Sequence, residues 1–187
     1  MTDSKSISSS EDIIAFWFAE PNQSLWFNST PEFDQHLRER FLTTYRAAAD
    51  GQLLAWEQSS VGALALAIVL DQFPLNMFRG QPESFATEAA ARTVADRAMV
   101  RGFDQELAPT QRLFLYLPFM HSEKLADQTR SVQLFESLGL EDSARFARHH
   151  HNLIVRFGRF PHRNAILGRE STPEELAYLA SPEAFHG

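Results

Sequence analysis

The sequence has 187 residues, with 24 acidic against 17 basic side chains and a formal net charge of −7. Hydrophobic residues make up 44% and charged ones 22%, with only 8 Gly and 9 Pro, a balance that fits a folded domain with a sizeable core and rules out a disordered or fibrous chain. There is no cysteine, so disulfides, thiolate metal sites, cysteine nucleophiles and iron–sulfur clusters are excluded.

Residues Met1 to Asp12 are rich in serine and acid and lack the basic start and apolar stretch of a secretory signal. Residues 1–9 are expected to form a flexible tail. Ser9 and Ser10 ahead of Glu11, Asp12 and the apolar Ile13, Ile14, Phe16 and Trp17 predict a capped first helix. Thr30-Pro31-Glu32 supplies a cap, a proline at the first helical position and an early acid. Phe33, Leu37, Phe41 and Tyr45 then recur at fourfold spacing up to a stop at Gly51. Ser60 opens an alanine-rich helix that is apolar on all sides, belongs in the middle of a core, and is expected to end at Phe73 because Pro74 follows. Its unbroken apolar run, Val61 to Leu70, falls short of the roughly 20 residues needed to span a bilayer.

Ala86 to Arg101 is a further amphipathic stretch stopped by Gly102, and Leu113 to Met120 is expected to be helical only to about Leu117, with Pro118 breaking it. Ser122 is the expected cap of a helix from Glu123 to Leu138. Glu141 to Phe157 forms the next, stopped by Gly158, and Thr172-Pro173-Glu174-Glu175 reads as the capping box of a short last one. No linker, low-complexity tract or repeat at 30 to 40 residues interrupts the chain. A single all-α domain of about seven or eight helices is expected. The lack of an export signal and of cysteine points to the cytoplasm, the absence of a spanning run to no membrane partner, and the overall acidity to no nucleic-acid partner.

Charge is unevenly distributed. Arg145, Arg148, Arg156, Arg159 and Arg163 fall in a stretch that contains no acid. A guanidinium fork matches carboxylate and phosphate geometry, so such a run suits a site that wants an anion. Four polar clusters lie at expected helix ends or connections. The first holds Asp71, Gln72, Asn76 and Arg79; Asp71, placed in the last turn of the apolar helix, needs a partner there. The second is His121-Ser122-Glu123, with Asp127 one turn after Glu123 on the same helical face. Two carboxylates beside His121 could orient a general base. No strong metal spacing is present, and neither metal nor cofactor is expected.

The third cluster is His149-His150-His151. Phe146, His150, Leu153, Ile154 and Phe157 share an apolar stripe, which makes His150 a core residue and leaves His149 and His151 at the surface. The fourth, Arg156-Phe157-Gly158-Arg159-Phe160-Pro161-His162-Arg163-Asn164, crowds three arginines, a histidine and an asparagine around two phenylalanines.

These segments, with Phe85-Ala86-Thr87 and Ala165-Ile166-Leu167-Gly168-Arg169, resemble a bacterial family known as domain of unknown function 924, over nearly the whole chain from about Ile13 to Phe185. The resemblance implies an α-helical fold related to tetratricopeptide superhelices, with no established activity. The family's polar positions fall on Asp71, Gln72, Asn76, Arg79, His121, Glu123, His150, Arg156, Arg159, His162, Arg163 and Asn164. Leu75 and Asn152 depart from it, standing where an arginine and a carboxylate are usual. The expected function is a groove that binds a small anionic molecule through Asp71, Gln72, Arg79, Glu123, His150, Arg156, Arg159, Arg163 and Asn164, with His121 or His162 as acid or base if catalysis occurs. One alternative is a tetratricopeptide-like module that clasps an acidic peptide or a terminal carboxylate, and another is a purely structural role in which these groups form a buried ion-pair network that locks the helices.

Overall fold

Ser9, Thr30, Ser59 and Thr172 cap the starts of four helices with their hydroxyls, and Gly158 ends another. In the computed structural model, which describes residues 6–185, nine α-helices and four 3-10 turns follow one another, with no strand among the described residues. The chain divides into two compact units. The first comprises the residues up to Arg79 together with Glu83–Pro118; the second comprises Gly80–Pro82 and the residues from Phe119 onward.

The first unit contains α1 (Ser10–Trp17), α2 (Glu20–Gln23), α3 (Pro31–Ala49), α4 (Ser60–Met77), α5 (Glu88–Val100) and most of α6 (Pro109–Met120). Ser9 and Asp12 close a capping box on α1, and Thr30 accepts from the Phe33 N–H at the start of α3. Of the expected tail, residues 1–5 lie outside the described ones; the Ser8 N–H donates to Thr44 Oγ1. The cap of α4 is Ser59 and not Ser60: its hydroxyl accepts from the Gly62 N–H. Glycine is required at 62, because a Cβ there would stand 2.1 Å from the Trp56 carbonyl oxygen.

Helix α4 packs against α1, α3 and α5, and every residue from Gly62 to Pro74 is buried. By length and composition alone it could cross a membrane; here it is the centre of a core that includes Trp17, Phe41, Phe73 and Phe114. Burying each side chain of this size contributes about 1.5–3 kcal/mol.

Pro74 does not end α4, contrary to the expectation, and the reason lies in a later segment. Proline has no N–H to offer the carbonyl four residues back, which is that of Leu70. That carbonyl accepts instead from the hydroxyl of buried Thr87, at the start of α5, and the helix continues to Met77. Asp71 is therefore an interior residue of α4, well before its end, and the argument from an unfavourable helix terminus does not apply to it. Pro118 likewise sits inside α6, in its final turn.

The second unit contains the end of α6, then α7 (Leu125–Ser137), α8 (Glu141–Phe157) and α9 (Pro173–Leu179). Helix α7 starts two residues later than expected. The Ser122 hydroxyl accepts from the Lys124 N–H and donates to Asp127, so Glu123 stands ahead of the helix and does not share a helical face with Asp127. Helix α8 ends as expected at Gly158, which takes the left-handed conformation at φ 71°. Its buried face is Ala144, Ala147, His150, Leu153 and Ile154; Phe146 is exposed, unlike the stripe drawn from spacing. Leu153 and Ile154 join Phe160 and Tyr178 in the core of this unit, with Phe157, Leu179 and Phe185 packed against them.

Replacing Thr87 with Val strands the Leu70 carbonyl and is expected to cost about 1–3 kcal/mol in urea unfolding. In a Pro74→Ala background, where residue 74 regains its N–H, the same replacement is expected to cost measurably less.

Candidate functional site

In the first unit the polar residues at the end of α4 serve as a clasp. Asn76 donates to Asp34 Oδ1 at 2.7 Å and to Ser29 Oγ at 3.0 Å, and Arg79 Nε donates to Asp34 Oδ2 at 2.7 Å. Burial works against the Asp34 carboxylate, yet these bonds outweigh it and hold the group below its usual range. The contacts tie residues 29–34 to the end of α4. Asp71 is buried and accepts from Gln72 Nε2 at 2.6 Å.

The second unit assembles the rest. Glu123 receives Arg169 in a two-pronged bond, Nη1 to Oε2 at 2.8 Å and Nη2 to Oε1 at 2.9 Å, while Oε1 also accepts the Phe160 N–H at 2.8 Å. Arg169 goes on to donate to the Phe160 carbonyl at 3.1 Å and to Asn164 Oδ1 at 2.9 Å. Burial again opposes the charge of Glu123, and the guanidinium of Arg169 with the Phe160 amide outweighs it, so its pKa is lowered. Arg159 makes the matching bond to buried Glu175, at 2.7 and 2.8 Å. With further donors from Thr172 N–H and Asn164, Glu175 is drawn down to about 2. Arg156 reaches Glu174 at 2.8 Å, and Arg148 reaches Glu136 and Glu141. The arginine run is thus met by acids from α7, α9 and the start of α8.

The imidazoles gather above this frame. His150 is 5% exposed; its Nδ1 lies 2.8 Å from the Phe146 carbonyl and must be the donor, which leaves Nε2 as an acceptor. Its ring lies 5.5 Å from that of Phe160 and 4.7 Å from that of Phe185. His162 lies 5.6 Å from Phe160 and 5.1 Å from Phe185, and its Nδ1 is buried without a hydrogen-bond partner. Arg163, 5% exposed, lays its guanidinium 4.8 Å from the centre of the Phe160 ring and donates to the His121 carbonyl at 3.0 Å. His149 was placed at the surface by its spacing; it is half-buried, 6.3 Å from Phe185 and 3.5 Å from the Tyr178 hydroxyl.

Burial is the main force on two of these rings. It pushes His150 down to about 3, opposed by the Phe146 bond and reinforced by repulsion between a proton on this ring and one on the neighbouring imidazoles. It pushes His162 down to about 3 as well, helped by Arg163 and opposed by Glu123. Both are neutral at pH 7, so each can accept or donate a hydrogen bond without carrying charge. Among the described residues no three His, Asp or Glu side chains form a group placed to hold a metal ion.

Of the residues singled out from the sequence, His121, Glu123, His150, Arg156, Arg159, His162, Arg163 and Asn164 belong to the second unit; Asp71, Gln72 and Arg79 belong to the first. Sequence reasoning missed the roles of Arg169, Glu175, Tyr178 and Phe185. Arg169 was visible as part of a motif and Glu175 as a capping residue. Nothing in the local pattern connects Phe185 to the histidines.

Comparison with known proteins gives two findings. The sequence matches the profile of a family described as bacterial protein of unknown function (DUF924) over residues 13–183. It also matches a solved structure, that of the protein of unknown function ATU0120 from Agrobacterium tumefaciens. The two are 43% identical, the match covers 91% of this chain and 96% of that one, and the TM-score is 0.87. No curated protein matches.

The buried neutral histidines set a pH dependence. A group whose folded pKa lies below its unfolded value leaves the unfolded state binding more protons in the interval between the two, so stability falls as pH is lowered from about 6.5 toward 3. Each such histidine is expected to give a slope of up to about 1.4 kcal/mol per pH unit. Between pH 6.5 and about 5.5 the carboxylates, which begin to protonate in the unfolded chain only below that, add little. Urea titrations over that range are expected to show the slope, and His150→Gln to reduce it.

Proposed function

The chain belongs to the bacterial DUF924 family, and we propose that its second unit binds a small anionic ligand at the cluster of His121, His150, His162 and Arg163. The observation that carries this reading is the state of His162: a buried Nδ1 without a partner, on a neutral ring, beside a guanidinium. A buried polar atom left unsatisfied costs about 1–3 kcal/mol, and a ligand atom bonded to it would recover that cost. Arg163 supplies positive charge and His150 Nε2 a further acceptor. Where the ligand is transformed, His162 or His121 is the acid or base.

Arg159, Arg156 and Arg169 frame the site by holding Glu175, Glu174 and Glu123, and Asn164 links two of these pairs. The burial of His150 and Arg163 favours a small molecule over an acidic peptide laid along an open groove. The packing of α3 on α4, α4 on α5 and α7 on α8, neighbours in the chain, supports a tetratricopeptide-like reading of the helices. A cytoplasmic location is part of the proposal and rests on composition.

Thermal unfolding in the presence of inorganic phosphate, acetate and dicarboxylic acids tests the site. At a concentration near 100 Kd a bound anion contributes about 2.7 kcal/mol, enough to raise Tm by several degrees. His162→Ala is expected to lose that rise and His36→Ala to keep it. Wild type unmoved by every anion would overturn the proposal.

A further inference from the structure

We infer that Ser181–Phe185 is a latch over the imidazole cluster, and that the Phe185 ring must lift before a solute reaches His162. The ring lies against three imidazoles, 4.7 Å from His150, 5.1 Å from His162 and 6.3 Å from His149. It meets all three edge to face, the arrangement that favours aromatic contact. Phe185 itself is half-buried, and Pro182 and Glu183 beside it are exposed.

The attachment of this segment is unlike that of Phe160, the other phenylalanine against His150 and His162. Phe160 has its N–H held by Glu123 and its carbonyl held by Arg169. Among the described residues, the hydrogen bonds that tie residues 181–185 to the rest of the unit come from one side chain and one carbonyl of a single residue, Tyr178. Its hydroxyl accepts the Phe185 N–H at 2.9 Å and donates to the Glu183 carbonyl at 3.4 Å, and its carbonyl accepts from the Ser181 N–H and hydroxyl at 2.9 and 2.7 Å. A cover tied through one residue opens at lower free energy than a wall tied through ion pairs. His162, with its unpartnered Nδ1, is the group that such an opening uncovers. What passes the latch rests on the anion-site reading; the cover itself does not.

Access can be read without any ligand. Diethyl pyrocarbonate modifies neutral imidazoles, and mass spectrometry of the digested protein reports the rate residue by residue. In Phe185→Ala the rate at His162 is expected to rise about tenfold or more over wild type, while exposed His36, in the first unit, stays unchanged. Tyr178→Phe, which keeps the ring packing and removes the hydroxyl tie, is expected to give a smaller rise and covers the case in which Phe185→Ala fails to fold. Equal rates at His162 in wild type and in both variants would overturn the latch. Adding inorganic phosphate separates the two readings: a faster rate that phosphate does not slow in any variant upholds the latch and counts against the anion site.

Discussion

Glu123 carries a charge where burial disfavours one, and the second unit is arranged around keeping it there. Its two oxygens receive both prongs of Arg169 and the amide of Phe160, and Arg169 returns to the carbonyl of the same phenylalanine. The chain between Gly158 and Thr172 has little regular structure of its own, so its path is set by these bonds and by the second pair, Arg159 with Glu175. Asn164 donates to Glu175 and accepts from Arg169, which joins the two pairs into one network. Breaking one member of such a network exposes the others to an uncompensated buried charge, which is why its parts depend on each other more than pairwise strengths suggest. The ring of Phe160, and with it the floor beneath His150, His162 and Arg163, is placed by this network.

The arginine-rich stretch is better understood in this light. Read along the chain it is a block of positive charge. In the folded protein Arg148, Arg156 and Arg159 each meet a glutamate, two of these from the helix that follows. Exposed pairs of this kind add little stability on their own. The half-buried pairs at Glu123 and Glu175 contribute more to fixing geometry, because a fork of two parallel hydrogen bonds specifies direction as well as distance.

Much of the fold was legible in the sequence because its signals are local. The capped start of the first helix, the box at Thr172, the cap at Thr30 and the stop at Gly158 each depend on a few neighbouring residues, and each stands where the spacing put it. Pro74 was misread because its remedy, the Thr87 hydroxyl, comes 13 residues later. The cap of α7 was misplaced because Ser122 satisfies Asp127 as well as the backbone. The site was legible as a set of residue types but not as a set of pairs. His150 announced its burial through the period of α8, whereas Glu123 with Arg169 spans 46 positions, and the approach of Phe185 to the histidines follows from the turn after α9. No pattern of neighbours encodes contacts at that range.

The bond from Thr87 to the Leu70 carbonyl also bears on the order in which the first unit is completed. On the ribosome α4 is synthesised before residue 87 exists, so until then the carbonyl at the proline step can be satisfied only by water. Drying the surroundings of that step must therefore wait for the start of α5 to arrive. The most apolar helix of the protein can therefore be fully buried at its proline step only after residue 87 has been made, although its own residues are among the earlier ones.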